Sequence, residues 1–522
     1  MKTLQILCVL LTLSSVQIYA KTLTLVLSRN VGVMNPQGYA FNEMFAQNMI
    51  YEGLVKIDSD GKIIPSLATS WEIKEKGKVY IFHLRKNVRF SNGEIFDAAA
   101  AKKNFDSILT NKIRHSWSNL SLLIQDVRII DDLSLQITLS KPYAPTLTEL
   151  SLIRPYRFIA PSMIPNDLNL ITHNPKEPIG TGPYQLTKTE LGKGDTFTKN
   201  PHYWDKEHYK GIYFDTIQTK IIIEPNAKLI ALKTAQADII YGSDEIPIEI
   251  FKKISQTKEF ATYLSPPIAT TALVLNPKNE ILSSLTMRQA LAYGIDKHTL
   301  IKAVYGDFQQ SADYLFAPNL PYCNVEADFT PLTFVPQKAK ELIESLGYTL
   351  QNGFYNKNGK NLVLELIYIG NNPAQKAMAE ILQQQLKNIG IFLKLTPYEQ
   401  SIFRNHQAKG TFDISFNETW GIPYEPFIML NSMRYAGHID YIVQKFLQSP
   451  TKDEIDKEIQ AVISLPETQI QKPLKDLLIK LYQTQIYIPL TYQRNKAIAR
   501  KNIRGVNPDM RHFEIPLWEF YE

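Results

Sequence analysis

The sequence has 522 residues, of which 44% are hydrophobic, 21% charged and 11% aromatic, with a formal net charge of +6. This composition is typical of a globular protein of about two to four domains and excludes a disordered, collagen-like or coiled-coil chain. The net charge is mild, and no block is dense in lysine and arginine, so nothing indicates a nucleic-acid-binding surface. Past the N-terminus, no apolar run reaches the roughly 18 residues that a membrane-spanning helix needs.

The first twenty residues have the pattern of an export signal. Lys2 supplies a short positive region, residues 6–13 are apolar, and Ala20 closes a cleavage site. The sequence therefore predicts a periplasmic protein that is cleaved after Ala20. Only Cys323 remains after that cleavage, which excludes an intrachain disulfide and a metal site built from cysteines.

The first half of the chain mixes strands, turns and helices. The alternation of residues 22–27 predicts an edge strand, and Asn42 is expected to open a helix that runs as far as Leu54. The other elements predicted in this half are strands and turns over 60–100, a helix over 98–109, a strand over 133–139 and a turn cluster over 179–183.

The second half contains a strand–helix–strand unit. Residues 362–370 form a strongly apolar run, residues 374–388 have an amphipathic helical pattern that ends at Gly390, and residues 391–396 read as another strand. This spacing is typical of a βαβ unit, so we expect parallel sheet in this half.

No motif in the sequence indicates a reaction. The nine histidines form no HxH or HExxH pair, and the chain has no GxSxG, P-loop or strand-linked GxGxxG motif. Because a catalytic triad can be assembled from distant residues, an exported hydrolase stays an alternative.

Arginine stands beside aromatic residues in two stretches, residues 114–117 (RHSW) and 154–158 (RPYRF). A guanidinium beside flat apolar faces suits a planar anion such as a carboxylate, although surface arginines also pack their stems on aromatic rings. A third stretch, residues 419–426 (TWGIPYEP), predicts a rigid turn with aromatic walls. His438 follows next to Gly437, which predicts an exposed loop histidine, either a plain surface residue or a ligand.

Several segments resemble the extracytoplasmic solute-binding proteins of dipeptide, oligopeptide and nickel ABC importers. The segments that carry this resemblance are 51–55 (YEGLV), 65–71 (PSLATSW), 82–93 (FHLRKNVRFSNG) and 288–297 (RQALAYGIDK). Those similar to the nickel-binding branch are 30–32 (NVG), 35–36 (NP), 44–47 (MFAQ), 154–162 (RPYRFIAPS) and 419–421 (TWG).

The resemblance implies a two-lobed α/β protein with the type II periplasmic-binding-protein fold and a subdomain inserted in the first lobe. On the family's pattern, the first lobe covers residues 21–263 and 491–522, with the inserted subdomain near 61–185. The second lobe covers residues 264–490. Two crossovers then form a hinge about which the lobes close on the ligand as rigid bodies.

The resemblance also implies a ligand and a site. In the nickel branch, a small chelator such as free histidine or an organic acid holds nickel(II), and the protein grips the chelate before an ABC importer permease receives it. Arg154 would pair with a chelator carboxylate with help from Arg114, and His438 would bind the metal. The residues carried over to the site are Tyr39, Met44, Arg114, Trp117, Arg154, Trp420, Tyr424 and His438.

One position departs from the branch pattern. Before Glu514, where the branch has a small hydroxyl residue, this chain has His512 and Phe513, so a second imidazole could compete for the metal.

The chain is expected to be monomeric and not an enzyme.

Peptide and haem ligands are the alternatives within the same fold. Peptide binders of this family anchor the peptide amino group with an aspartate three residues after the tryptophan that matches Trp420, whereas this chain has Pro423 there. Proline cannot neutralise an ammonium group, and burying that charge unpaired costs several kcal/mol. Haem would also suit an aromatic cleft that contains arginine.

Overall fold

The structure is a computed structural model that describes residues 20–38, 44–242, 245–326, 328–419, 426–511 and 513–522. Four of the residues discussed above as site or competing residues lie outside the described residues: Tyr39, Trp420, Tyr424 and His512. The export signal up to residue 19, Asn42 and Pro423 lie outside them as well.

Strands alternate with helices along most of the described chain. In chain order, the strands are β1 (Thr22–Leu27), β2 (Val55–Ile57), β3 (Ile63–Pro65), β4 (Ala68–Lys74), β5 (Val79–Leu84), β6 (Ile124–Asp131), β7 (Ser134–Leu139), β8 (Tyr184–Glu190), β9 (Gly194–Lys199), β10 (Thr216–Ile221), β11 (Ile239–Tyr241), β12 (Ala261–Leu264), β13 (Ala269–Leu275), β14 (Gln310–Ser311), β15 (Thr349–Gln351), β16 (Phe354–Lys357), β17 (Lys360–Asn361), β18 (Val363–Ile369), β19 (Phe392–Tyr398), β20 (Ile414–Glu418), β21 (Tyr487–Gln493) and β22 (Lys496–Ala499).

The α-helices are, in the same order, α1 (Met44–Ile50), α2 (Ala98–Thr110), α3 (Asn119–Leu123), α4 (Thr146–Leu150), α5 (Lys206–Gly211), α6 (Pro225–Lys233), α7 (Ile248–Thr257), α8 (Glu280–Ser283), α9 (Leu285–Gly294), α10 (Lys297–Tyr305), α11 (Pro336–Ser345), α12 (Pro373–Asn388), α13 (Gln400–Lys409), α14 (Pro426–Ser432), α15 (Ile439–Gln444), α16 (Lys452–Ile463) and α17 (Gln471–Gln483). Among the helices of the described residues, none has the length and apolar character needed to span a bilayer.

The first lobe is built on a seven-stranded sheet with the order β12-β22-β11-β1-β10-β9-β8. β1 lies in the interior of this sheet, because it pairs in parallel with β10 on one side and with β11 on the other. The prediction of an edge strand was therefore wrong. Leu25 and Val26 point to opposite faces and are both fully buried, so the strand is covered on both sides.

The subdomain inserted in this lobe contains a four-stranded sheet with the order β4-β5-β7-β6, whose neighbours are antiparallel. The predicted helix over 98–109 is confirmed as α2, which begins where the Asp97 side chain accepts a hydrogen bond from the Ala100 N–H. The predicted strand over 133–139 is confirmed as β7. Its alternate residues Leu135, Ile137 and Leu139 are fully buried in the core.

The second lobe contains a six-stranded sheet with the order β14-β21-β13-β20-β18-β19. The predicted βαβ unit is confirmed, because β18 and β19 pair in parallel and α12 connects them. Asn372 caps the start of α12, and Gly390 after its end has a φ of 81°, a conformation that favours glycine.

The first helix is shorter than predicted. α1 ends at Ile50, and Leu54 is buried outside it. A Cβ on Gly53 would lie 2.9 Å from the Arg157 guanidinium and 3.1 Å from the Tyr156 carbonyl oxygen. The chain therefore leaves the helix to pack against a segment about a hundred residues away, which periodicity within the helix does not reveal.

The two chain crossovers between the lobes bind each other. The Ser265 N–H donates to the Asn495 carbonyl oxygen (3.0 Å), and the Asn495 N–H donates to Ser265 Oγ (2.8 Å). Both residues are buried. The exact lobe limits given above stay a prediction. The lobes also touch away from these crossovers, where the Ala144 N–H donates to the Ile463 carbonyl oxygen (3.0 Å).

Candidate functional site

The first arginine-bearing stretch, residues 114–117, forms the turn that joins α2 to α3; we call it the 114–117 turn. Arg114 is exposed, His115 is fully buried and Trp117 is half-buried against the hydrophobic core. The Ser118 N–H closes the turn by donating to the His115 carbonyl oxygen (2.9 Å). A backbone hydrogen bond thus closes the turn, with the His115 side chain buried inside it and Arg114 on its surface.

The second stretch, residues 154–157, follows α4; we call it the 154–157 segment. Arg154 is half-buried, whereas Tyr156 and Arg157 are buried. Arg157 Nη2 donates to Asn48 Oδ1 on α1 (2.9 Å). Since Met44 is the first residue of α1, this bond ties the Met44 helix to the arginine-bearing segment.

The structure brings these two stretches together. Ser118 Oγ and Tyr156 Oη lie 2.8 Å apart, within hydrogen-bonding distance, although 38 residues separate them in the sequence. Arg114, Trp117 and Arg154 are consequently carried by segments that are bonded to each other. Guanidinium groups with aromatic surface close by would suit a ligand that has carboxylates.

A buried carboxylate lies beneath this junction. Glu149 on α4 is fully buried and accepts hydrogen bonds from Ser118 Oγ (2.5 Å), the Leu120 N–H (2.9 Å) and the Tyr143 hydroxyl. Burial raises the pKa of Glu149, while these donors act in the opposite direction. Three donors that all point at the carboxylate oxygens stabilise its charged form in an apolar surrounding.

His438 lies on the second lobe at the N-terminus of α15. Its backbone is extended (φ −84°, ψ 141°), so its predicted position in a loop is confirmed, but its side chain is half-buried and the predicted exposure was wrong. Burial lowers the pKa of His438, which favours the neutral imidazole that a metal requires.

The first turn of α15 is also held in place by a buried acidic residue, Asp440. The Tyr487 hydroxyl on β21 donates to Asp440 Oδ1 (2.8 Å), and burial raises the pKa of Asp440 to about 6. The helix that begins at His438 is therefore attached to the central sheet of the second lobe.

The His438 side of the second lobe approaches the loop before α4. Burial lowers the pKa of Lys141, and the positive charge of Arg434 lowers it further. Lys141 and Arg434 are therefore close enough to repel each other. Next to them is the Ala144–Ile463 contact described above. Arg434 in the turn before His438 thus lies near enough to Lys141 to influence its charge, and the Ala144 N–H in the same loop as Lys141 bonds to Ile463 of the second lobe.

The placement of the remaining predicted site residues stays untested. Tyr39, Trp420, Tyr424 and the competing His512 lie outside the described residues, so their membership of the site stays a prediction. Among the described residues, no three His, Cys, Asp or Glu side chains come together as a group that could hold a metal ion.

Sequence reasoning missed the residues that join the two stretches, namely Ser118, Tyr143, Glu149 and Tyr156. Glu149 offered one signal, because it is the only charged residue between Lys141 and Arg154 in a largely apolar stretch. A lone acid in such a stretch indicates a buried, hydrogen-bonded carboxylate. Its partners could not be identified, since they come from two other segments, residues 118–120 and the loop that contains Tyr143.

The chain matches a family model and several known proteins. Residues 62–441 match the model of the bacterial extracellular solute-binding proteins, family 5. The chain is 41% identical to the nickel-binding periplasmic protein of Escherichia coli over 93% of this chain and 92% of that protein. It is 26% identical to an Escherichia coli glutathione-binding protein, GsiB, over 94% and 93% of the two chains.

The fold is similar to that of solved structures. The crystal structure of NikA from Brucella suis in complex with Fe(III)-EDTA superposes with a TM-score of 0.90 at 39% identity and covers 96% of this chain and 99% of that one. This similarity confirms the predicted two-lobed α/β fold.

His115 makes the 114–117 turn sensitive to acid. Burial, with a smaller contribution from the Arg114 charge, lowers the pKa of His115 from 6.5 to about 4. Between those two pH values the unfolded chain binds a proton that the folded protein does not. The free energy of unfolding is therefore expected to fall as the pH drops from 6.5 towards 4, by at most about 1.4 kcal/mol per pH unit.

Urea denaturation of the parent and of His115→Gln at pH 7, 5.5 and 4.5 measures this effect. The parent is expected to lose more stability than the variant on acidification, because only the parent carries the titrating imidazole. Parallel pH profiles for the two proteins would contradict the assignment.

Proposed function

Because the chain belongs to family 5 of the bacterial extracellular solute-binding proteins, we propose that it binds nickel(II) as a complex with a small chelator, such as free histidine. Members of this family deliver solutes to ABC importers. In this proposal the protein presents the nickel chelate to the permease of such an importer. It acts in the periplasm after cleavage of the leader at Ala20, and it catalyses no reaction.

One structural observation carries the proposal. The Ser118–Tyr156 contact joins the 114–117 turn to the 154–157 segment, in a chain that is 41% identical to a nickel-binding periplasmic protein. The Brucella suis relative was solved with iron held by EDTA, a polycarboxylate chelator. Two arginines together with Trp117 would suit the carboxylates of such a chelator.

Each side chain has a distinct role in the proposal. Arg154 pairs with a chelator carboxylate and Arg114 assists from one side, since guanidinium groups bind carboxylates through paired hydrogen bonds. His438 supplies one nitrogen ligand, and the chelator supplies the others, which suits the preference of nickel(II) for nitrogen and oxygen donors. Met44, Trp117 and the aromatic residues Tyr39, Trp420 and Tyr424 form the walls.

A peptide ligand is the second candidate, because the chain is 26% identical to a glutathione-binding protein over most of both chains. Pro423 argues against it, since proline replaces the acid that anchors a peptide's amino group in the family. Haem remains a further alternative, whereas a peptide does not account for His438 as directly as a metal chelate does.

Replacing Arg154 tests the grip on the chelator. Arg154→Ala is expected to weaken binding of the nickel–histidine complex by about 1.5–3 kcal/mol, or roughly tenfold to a hundredfold, because a hydrogen bond to a charged group is lost. Isothermal titration calorimetry measures the affinity. Arg128→Ala serves as the matched control, since Arg128 is exposed on β6 and donates to Gln136 across the sheet, away from the proposed site residues.

The same titration with bare nickel separates a chelate from a free ion. Bare Ni²⁺ is expected to bind poorly to the parent and to both variants. Equal affinity for bare nickel and for the chelate would argue that the protein itself supplies the ligands.

A peptide panel separates the two candidate functions. Di- and tripeptides at millimolar concentration are expected to leave the melting temperature unchanged. A ligand present at about 100 times its dissociation constant would add about 2.7 kcal/mol of stability, which a thermal melt detects easily. A clear upward shift with several unrelated dipeptides would favour the peptide function.

His438→Ala tests the metal ligand. A proton and nickel compete for the same imidazole nitrogen, and burial lowers the pKa of His438 below 6.5. Protonation of His438 is therefore expected to weaken chelate binding only at a pH below 6.5, by up to about tenfold per pH unit. Protonation of a histidine chelator steepens the fall, so the comparison with the variant isolates the part of His438. The variant should bind the chelate more weakly and change its ligand-field spectrum, while the melting temperature of the ligand-free protein stays nearly the same.

The control for this experiment is His173→Ala, because His173 is an exposed histidine in a turn of the first lobe. If His438→Ala retains the spectrum and the affinity of the parent, His438 is not a ligand. His512 would then be the next residue to replace.

A further inference from the structure

Glu149 bonds directly to two segments, the start of α3 and the loop before α4, and is linked through Ser118 to a third, the 154–157 segment. Its carboxylate accepts from Ser118 and from the Leu120 N–H at the start of α3, directly after the 114–117 turn. It also accepts from the Tyr143 hydroxyl in the loop before α4. Ser118 in turn contacts Tyr156 in the 154–157 segment (2.8 Å).

The bonds to Glu149 replace local ones. Ser118 occupies the N-cap position of α3, where serine usually bonds to a backbone N–H of its own helix, yet its side chain makes no such bond. Its hydroxyl reaches Glu149 and Tyr156 instead, and Glu149 bonds to the Leu120 N–H that the serine leaves unsatisfied. The start of α3 therefore depends on a residue 29 positions further along the chain.

The third bond leads to the other lobe. Tyr143 directly precedes Ala144, whose N–H donates to the Ile463 carbonyl oxygen at the end of α16 (3.0 Å). Tyr143 is buried, with 1% of its surface exposed, so its hydroxyl bond fixes the loop on the inner side. The same carboxylate is thus bonded to the 114–117 turn and to the loop that touches the second lobe.

We propose that Glu149 is a positioning residue of the ligand site: its carboxylate holds the 114–117 turn against the 154–157 segment and, through Tyr143, couples both to the contact between the lobes. This inference rests on the proposed function, because it assigns Glu149 to the site formed by Arg114 and Arg154. Glu149 itself is buried beneath the site and does not touch the ligand.

Two variants separate the bonds of Glu149. Glu149→Gln keeps the size of the side chain and one acceptor oxygen but replaces the other acceptor with a donor. Tyr143→Phe removes only the hydroxyl that links the carboxylate to the interlobe loop. Because Tyr143 and Glu149 are hydrogen-bond partners, the effects of the two changes are expected to add to less than their sum in the double variant.

Asp195→Asn is the matched control. Asp195 on β9 is also buried, with 2% of its surface exposed, and accepts from Asn30, from the Val31 N–H and from Thr219. It lies in the first lobe, and its described partners belong to none of the elements that carry Arg114, Arg154 or His438. Its replacement should reduce stability through the loss of similar hydrogen bonds without changing the site.

Hydrogen–deuterium exchange with mass spectrometry is the first measurement, on the ligand-free proteins. Glu149→Gln is expected to speed exchange in peptides that cover residues 114–123 and 140–150. Tyr143→Phe is expected to speed exchange in residues 140–150. Asp195→Asn is expected to leave both regions at the parent rate. Unchanged exchange in both regions for both site variants would overturn the positioning role, whether or not the protein binds nickel.

Calorimetry with the nickel–histidine complex is the second measurement. Glu149→Gln is expected to bind this complex about tenfold more weakly than the parent, which is the effect of losing one hydrogen bond to a charged group. Asp195→Asn is expected to bind it as tightly as the parent. An affinity loss shared equally by Asp195→Asn would mean general destabilisation and would also overturn the inference. A parent that binds no nickel chelate would instead contradict the proposed function, and the exchange data would still decide the role of Glu149.

Discussion

The hydrogen bonds to the buried carboxylate of Glu149 are the interaction that, in our proposal, holds together the 114–117 turn and the 154–157 segment. Ser118, the Leu120 N–H and Tyr143 all donate to it, and none of these donors is adjacent to Glu149 in the sequence. Moving a carboxylate from water into an apolar interior costs several kcal/mol unless donors surround it. The fold therefore has to bring these separate segments together. In our proposal, Arg114 and Arg154 are positioned because the segments that carry them are bonded to each other.

The two lobes contribute different chemistry to the proposed site. The first lobe supplies guanidinium groups, which remain charged at any physiological pH and recognise carboxylates. The second lobe supplies a half-buried histidine whose pKa is lowered by burial, so that its nitrogen is available to a metal at neutral pH. A metal chelate has both kinds of surface, whereas a bare ion or a bare organic acid has only one. Recognition of the chelate as a unit would therefore need both lobes.

Helices and strands could be predicted from the sequence where their own residue pattern determines their conformation. The helix α2 and the strand β7 were predicted from periodicity, and the β18–α12–β19 unit was predicted from three adjacent patterns. The position of β1 inside its sheet was not, because it depends on strands that lie about 190 and 215 residues away. The early end of α1 likewise depends on the close approach of Gly53 to Arg157.

The chemistry of the candidate site could be proposed from the sequence, whereas the contacts between its segments could not. The pairing of arginine with aromatic residues identified both stretches, but only the folded structure shows that Ser118 meets Tyr156. His438 was recognised as a candidate ligand, whereas its burial at the start of α15 could not be read from an isolated histidine next to a glycine. The residues that hold a site in place are thus harder to predict than those that touch the ligand, because their partners are remote in sequence.

Native mass spectrometry of the protein purified from its own periplasm tests the central claim most directly, because one mass reports the metal and the chelator together. Our account predicts an added mass equal to one nickel ion plus a small organic chelator, lost together when the protein is denatured. An added mass that matches a peptide or haem, or a nickel ion with no accompanying organic molecule, would contradict it.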